Sequence, residues 1–204
     1  MTSRVVAVLL LVLPCSAIAR AGDWTQYRAD AARSGFVPET LPVPLTLAWT
    51  YESAHSPARA WPTNVRLRFD QAFQPVIADG LLVFGSSVDD RVHAFDSSTG
   101  APRWTFFTDG PIRLAPVFWN RQLYVASDDG FLYCLSANDG RLLWKFRGGT
   151  GPRMVLGNDR MTSAWPARGG PVVLDGVVYF AAGIWPTDGF HLHALDARNG
   201  KPLW

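Results

Sequence analysis

Three stretches of this chain superimpose on one another, and that internal repeat narrows the folds open to it more than any other feature. The first is PVIADGLLVFGSSVDDRVHAFDSSTGAPRW, from Pro75 to Trp104. The second is PVFWNRQLYVASDDGFLYCLSANDGRLLW, from Pro116 to Trp144, and the third is PVVLDGVVYFAAGIWPTDGFHLHALDARNGKPLW, from Pro171 to Trp204. Gly100, Gly140 and Gly200 share one column, and Trp104, Trp144 and Trp204 follow them at one fixed offset. The Trp-to-Trp spacings are 40 and 60 residues, which places an insertion between the second and third units.

Each unit reads as four short strands. In the first these are Pro75–Ala78, Leu81–Ser86, Arg91–Asp96 and Pro102–Phe107, separated by a turn at Asp79-Gly80, a loop at Val88–Asp90 and a turn closing at Gly100. Asp-Gly pairs at 79, 109, 129, 139, 175 and 188 and Asn-Gly at 199 suit the left-handed backbone of hairpin turns. Their acids are read as turn residues, not metal ligands. The runs LLVFG and VVYFAAG lack polar alternation, so they need apolar cover on both faces. Sheets stacked radially supply that cover. The expected fold is all-β, a β-propeller of four-stranded antiparallel blades at 75–107, 115–147 and 171–204, with a solenoid or β-sandwich as the alternative.

The Gly and Trp columns have a direct physical reading. Gly100 takes the backbone angle its turn demands, Asp96 bonds the N–H groups of the same turn, and Trp104 projects from the outer strand into the gap between blades. Asp196 and Gly200 repeat the arrangement in the third unit. The resulting spacing, A-x-D-x-x-T-G-x-x-x-W, resembles the tryptophan-docking motif of the pyrroloquinoline-quinone (PQQ) type quinoprotein propellers. Ala94 to Trp104 matches every position; Ala194 to Trp204 has Asn199 for Thr; the second unit carries Cys134, Ser136 and Asp139 in the Ala, Asp and Thr columns. The segment from Asp23-Trp24-Thr25-Gln26-Tyr27-Arg28 to Ser34-Gly35 is similar to the start of secreted proteins of this type.

The first residues read as an export leader: Arg4, an apolar run Val5–Leu13 too short to cross a bilayer as a helix, and A-x-A sites at Ala17–Ala19 and Ala19–Ala21. Pro14 before Cys15 departs from a lipoprotein site. A signal peptide at 1–21 and a periplasmic or secreted protein are expected. Cys134 is then the one cysteine left, and its column reads as a small packed residue. Trp49, within 45–51, reads as the outer strand of a further blade. Three blades and a strand do not close a ring, so the chain is expected to be an N-terminal fragment of a larger propeller, and Gly22–Trp204 alone is not expected to unfold as a stable cooperative monomer.

Alternation of strand direction puts the long loops 52–74, 147–170 and 183–189 on one rim, where function concentrates. The two longest carry Arg59, Arg66, Arg68, Arg147, Arg153, Arg160 and Arg168 against Glu52, Asp70 and Asp159. All three contain a Trp-Pro pair, at Trp61, Trp165 and Trp185. Arg forks take carboxylates or phosphates and indoles stack on rings or sugars, so Trp61, Arg66, Arg68, Arg160, Trp165, Arg168 and Trp185 are the candidate ligand-binding residues. The competing reading has the same side chains pinning the loops to the blades. His191 and His193 share a strand face, but His93 and Tyr133 occupy the column of His193, which reads as packed aromatic and not metal.

No residue is assigned a catalytic role, and no C-x-x-C-H, G-x-S-x-G or H-E-x-x-H occurs, so no haem c is expected. A net charge of +2 gives no reason to expect nucleic acid. Two functions stay open. One is a non-catalytic envelope module that binds or scaffolds a protein, peptide or polysaccharide. The other, implied by the resemblance, is a PQQ-dependent alcohol or sugar dehydrogenase with calcium, a catalytic Asp and often adjacent cysteines. Adjacent cysteines are absent here.

Overall fold

The computed structural model describes residues 22–204 apart from 42, 62–68 and 158. The leader expected at 1–21 and two of the candidate rim residues, Arg66 and Arg68, lie outside the described residues. Among the described residues all regular structure is β. The first blade is β1 (Val76–Ala78), β2 (Leu81–Gly85), β3 (Arg91–Asp96) and β4 (Pro102–Phe107), antiparallel and in chain order. The second repeats it with β5 (Val117–Trp119), β6 (Gln122–Ala126), β7 (Phe131–Ser136) and β8 (Leu142–Arg147). After a separate hairpin, β9 (Met154–Gly157) and β10 (Arg160–Ser163), comes a third sheet of β11 (Val172–Leu174), β12 (Val177–Ala182) and β13 (His191–Asp196).

The continuous apolar strands are covered on both faces because the sheets stack. Along β6, Leu123 and Val125 join Val83, Val92 and Ala94 of the first blade, whereas Tyr124 and Ala126 join Val178 and Phe180 of the third sheet. One strand thus serves two cores through its period of two. Burying each of the Val, Leu and Phe side chains among these contributes roughly 1.5–3 kcal/mol. Cys134 lies wholly buried in the second core, where loss of solvation pushes its thiol up to about 12. It is expected to ignore an aromatic disulfide reagent at pH 8 until denaturant opens the fold; rapid labelling of the native protein would contradict this packing.

Tryptophans bolt each sheet to the next. Trp104 leaves β4 and donates its indole N–H to Ala137 O at 2.9 Å, over the turn of the second blade. Trp144 leaves β8 and does the same to Ala197 O at 3.2 Å on the third sheet. Under each ring lies a glycine with φ near +72°: a Cβ on Gly140 would stand 2.5 Å from Trp104 Cε3, and one on Gly200 2.6 Å from Trp144 Cε3. Glycine is required twice over, for the backbone angle and for the space. In the first blade the turn is also held by Asp96. The Ser98 hydroxyl, with the N–H and hydroxyl of Thr99, holds that carboxyl down at about 2.

Three expectations about elements change. Leu45–Tyr51 is not a strand, since no described strand runs beside it to pair with. Its Trp49 nevertheless donates to Ser97 O at 3.0 Å and lies across Gly100, as Trp104 and Trp144 do on theirs. The fourth strand of the third unit is reduced to a bridge, Leu195 with Pro202, beyond which Leu203 N still donates to Ala194 O at 2.8 Å. Trp204 itself is 63% exposed, with no described turn beneath its ring. Finally, 147–170 is not all loop, because Asp159 takes φ +62° and closes the β9–β10 hairpin.

The segment 24–26 ties the innermost strands together. Trp24 exchanges two backbone hydrogen bonds with Ile77 of β1, Thr25 O accepts from Phe118 N of β5, and the Gln26 carboxamide both donates to Val173 O and accepts from Val173 N of β11, each at 3.0 Å. β5 touches both β1 and β11, so this segment runs along the hub of the stack.

Candidate functional site

The loops that join one sheet to the next meet those between second and third strands on a single rim. Backbone bonds stitch them: Asp128 N to Pro111 O, Ser163 N to Asp128 O, and Gly183 N to Pro166 O. At the centre sits Asp128, 1% exposed, in the short β6–β7 loop. Its Oδ2 accepts from Arg113 Nε at 2.6 Å and Arg168 Nη2 at 2.7 Å; its Oδ1 accepts from Arg168 Nε at 2.7 Å. Arg113 then reaches Asp70 Oδ2 at 2.7 Å and the carbonyl of Ala58, while the same Asp70 oxygen accepts from Ala60 N. Two arginines and two aspartates form a buried neutral relay that holds Ala58, Ala60 and Asp70 against the blades.

The other expected rim residues are also engaged internally. Arg160 donates to Ser87 O at 2.7 Å and to Asp90 Oδ2 at 2.5 Å. Burial raises the Asp90 carboxyl while the Arg160 guanidinium opposes that rise. Trp165 is nearly buried and donates to Asp188 O at 2.6 Å; Arg153 lies over its ring at 5.2 Å and pairs with Asp188. Arg168 lies over the Trp61 ring at 4.9 Å. Of the expected ligand residues that are described, Arg160, Arg168 and Trp165 therefore hold loops in place, while Trp61 and Trp185 border open space. His193 packs on Phe180 at 5.0 Å and bonds Gly148 O at 2.8 Å.

That space is a cavity of about 390 Å³ with Trp61, Trp185, Ile184, Val155 and Leu156 on its walls and Arg113, Arg153, Arg168, Thr162 and Asp188 among its polar lining. Its charges are mated to one another. What it offers a ligand is two indoles, aliphatic surface and a wall made by β9, which among the described residues pairs with β10 alone. Sequence reading missed Arg113, Asp128 and Leu156. Arg113 and Asp128 lie in loops of ordinary length, and the Asp128-Asp129-Gly130 run reads as a turn. Burial raises the neighbouring Asp129 carboxyl, which accepts from the Tyr133 hydroxyl at 2.5 Å.

Comparison with known proteins now assigns the family. The family model described as outer membrane protein assembly factor BamB matches residues 46–204. The chain belongs to the BamB-like PQQ-repeat family. Among relatives, BamB of Yersinia pestis is 31% identical over 150 residues, 71% of this chain and 35% of its own. The dehydrogenase subunit of a quinone alcohol dehydrogenase from Gluconobacter oxydans is 26% identical over 202 residues, 90% of this chain and 24% of its own. The chain thus spans about a third or less of the length of these curated relatives. In structure, the quinohemoprotein alcohol dehydrogenase of Comamonas testosteroni aligns over 89% of this chain and 26% of its own, with TM-score 0.66 and 22% identity. A europium-containing methanol dehydrogenase aligns over 90% and 31%, with TM-score 0.62 and 16% identity. These two likenesses show the propeller fold that the repeat predicts.

Proposed function

We propose that this family member works as a non-catalytic binding or scaffolding module of the cell envelope, periplasmic or secreted, and that it engages an envelope protein, peptide or polysaccharide through the rim of 52–74, 147–170 and 183–189. One observation carries the reading. Among the described residues Arg113, Arg153, Arg160 and Arg168 are spent on Asp70, Asp90, Asp128 and Asp188, while the indoles of Trp61 and Trp185 face a cavity whose described lining has no unmated charge. Such a surface suits an apolar or ring-bearing group better than a polyanion. Likeness to BamB of Yersinia pestis supports an envelope role, and no helix among the described residues is long and apolar enough to cross a membrane.

The PQQ-dependent dehydrogenase is the second reading, favoured by the likeness to the Gluconobacter oxydans subunit. The described residues do not fit that cofactor. PQQ is a carboxylate-rich quinone, and the forks of Arg113 and Arg168 already hold aspartates. Calcium takes six to eight oxygens, whereas no described group of three or more acids, His or Cys is gathered to hold a metal. Adding PQQ, calcium and ethanol or glucose with a dye acceptor is expected to give no dye reduction above the protein-free blank. Saturable, calcium-dependent turnover would overturn the non-catalytic reading.

A further inference from the structure

The hairpin β9–β10 stands apart from the blades as a two-stranded sheet. Ala164 N bonds Arg153 O, which fixes the phase of its ladder: Val155 and Thr162 face each other as a bonded pair, whereas Met154 and Leu156 turn their N–H and C=O groups outward. On the far side the outward N–H of Ser163 is taken by Asp128 O. Among the described residues no group bonds the outward backbone of Met154 or Leu156. The side chains at this edge are apolar and open: Met154 is 38% exposed, Leu156 74%, and Met161, opposite Leu156, 53%. A bare strand edge flanked by exposed apolar residues is a template that soluble proteins ordinarily cover or charge.

Resting on the rim as the binding surface, we infer that the occupant of this edge is an extended polypeptide segment of another protein, added beside Met154–Gly157 as a third strand. Only a peptide backbone offers donors and acceptors at the spacing that Met154 and Leu156 present. The pleat sets what the segment must carry. Its residue beside Val155 points to the face shared by Val155 and Thr162, which lines the 390 Å³ cavity between Trp61 and Trp185. Its two neighbours point to the other face, over Met154, Leu156 and Met161. The segment is therefore apolar at three consecutive positions, with the central side chain large enough to reach the indoles, and it discriminates by shape, since the cavity's charges are already matched.

The test uses the full chain and a synthetic peptide, acetyl-Thr-Val-Phe-Val-Thr-Lys-Lys-amide, with two versions N-methylated at alternate residues in opposite phase. Strand addition predicts that one methylation phase weakens binding by about tenfold or more while the other leaves it unchanged, because only one set of peptide N–H groups faces β9. It also predicts that bound peptide slows amide exchange at Met154 and Leu156. Leu156→Pro removes a donor that the hairpin does not use and should weaken binding by about tenfold or more, whereas Leu156→Ser keeps that donor and costs about threefold. Equal binding of both methylated peptides, wild-type affinity in Leu156→Pro, or no binding of the parent peptide at millimolar concentration overturns strand addition. If Trp185→Ala weakens the parent peptide while both methylated forms bind alike, the rim reading survives and strand addition does not. Concentration-dependent dimers that Leu156→Pro abolishes would put a second copy of this chain on the edge instead of a foreign segment.

Discussion

Gly140→Ala is expected to destabilise the protein by about 3–4 kcal/mol, a large loss for one methyl group on a surface turn. Two separable costs add up to that figure. The backbone at Gly140 has φ +72°, where a side chain costs roughly 1–2 kcal/mol. The new Cβ would also stand 2.5 Å from Trp104 Cε3, so the indole must leave its seat. It then loses both its burial and its bond to Ala137 O. A double-mutant cycle separates the terms: in a Trp104→Ala background the same substitution should cost only the backbone part, about 1–2 kcal/mol. Gly151→Ala is the control, because its Cβ would meet no atom within 4 Å and its φ is not positive, and it should change stability by less than about 0.5 kcal/mol. Equilibrium urea unfolding reads all four variants. Equal costs for Gly140→Ala with and without the indole would mean that the ring does not rest on the turn.

Asp128→Ala should cost about 3–5 kcal/mol, because it leaves a buried guanidinium without its counter-charge. Arg113 keeps Asp70, but Arg168 has no other carboxylate partner among the described residues. The damage should be local as well as global. Amides of 163–165 and 167–169, which hang on Asp128 and on the loop it anchors, should lose exchange protection while those of β2 and β3 keep theirs. Arg168→Met in the Asp128→Ala background should recover part of the loss by removing the stranded charge. Were Asp128→Ala to shift the urea midpoint no more than a surface substitution does, the relay would be an ornament of the rim and not its anchor.

The fold was legible because its determinants are local and repeated. Gly100, Gly140 and Gly200 need a left-handed turn, the tryptophans follow at fixed offset, and LLVFG needs two covered faces; each demand points to the same radial stack. What escaped were contacts between residues distant in the chain that no repeat reports. Gln26 bonds Val173 across 147 positions, and Arg113 reaches Asp70 across 43. The rim shows the limit most plainly. An excess of arginine over acid within the long loops looks like an anion site, yet the neutralising Asp90 and Asp128 sit in short loops of other units, so the local charge count misstates the charge of the assembled surface. Trp61 and Trp185 stood out as candidates because each long loop carries a Trp-Pro pair, a pattern the sequence displays directly. Leu156 did not, since an edge strand is defined by the absence of a neighbour, and a sequence does not display its neighbours.

Indole hydrogen exchange, resolved by NMR for each tryptophan, examines the inter-sheet bolts without altering the protein. The N–H protons of Trp49, Trp104 and Trp144, each donated to a carbonyl on the following sheet, should exchange more slowly than that of Trp204 by about a hundredfold or more. Exchange of all four at one common, rapid rate would show that no ring is seated on a neighbouring turn, and the stack built on them would be wrong.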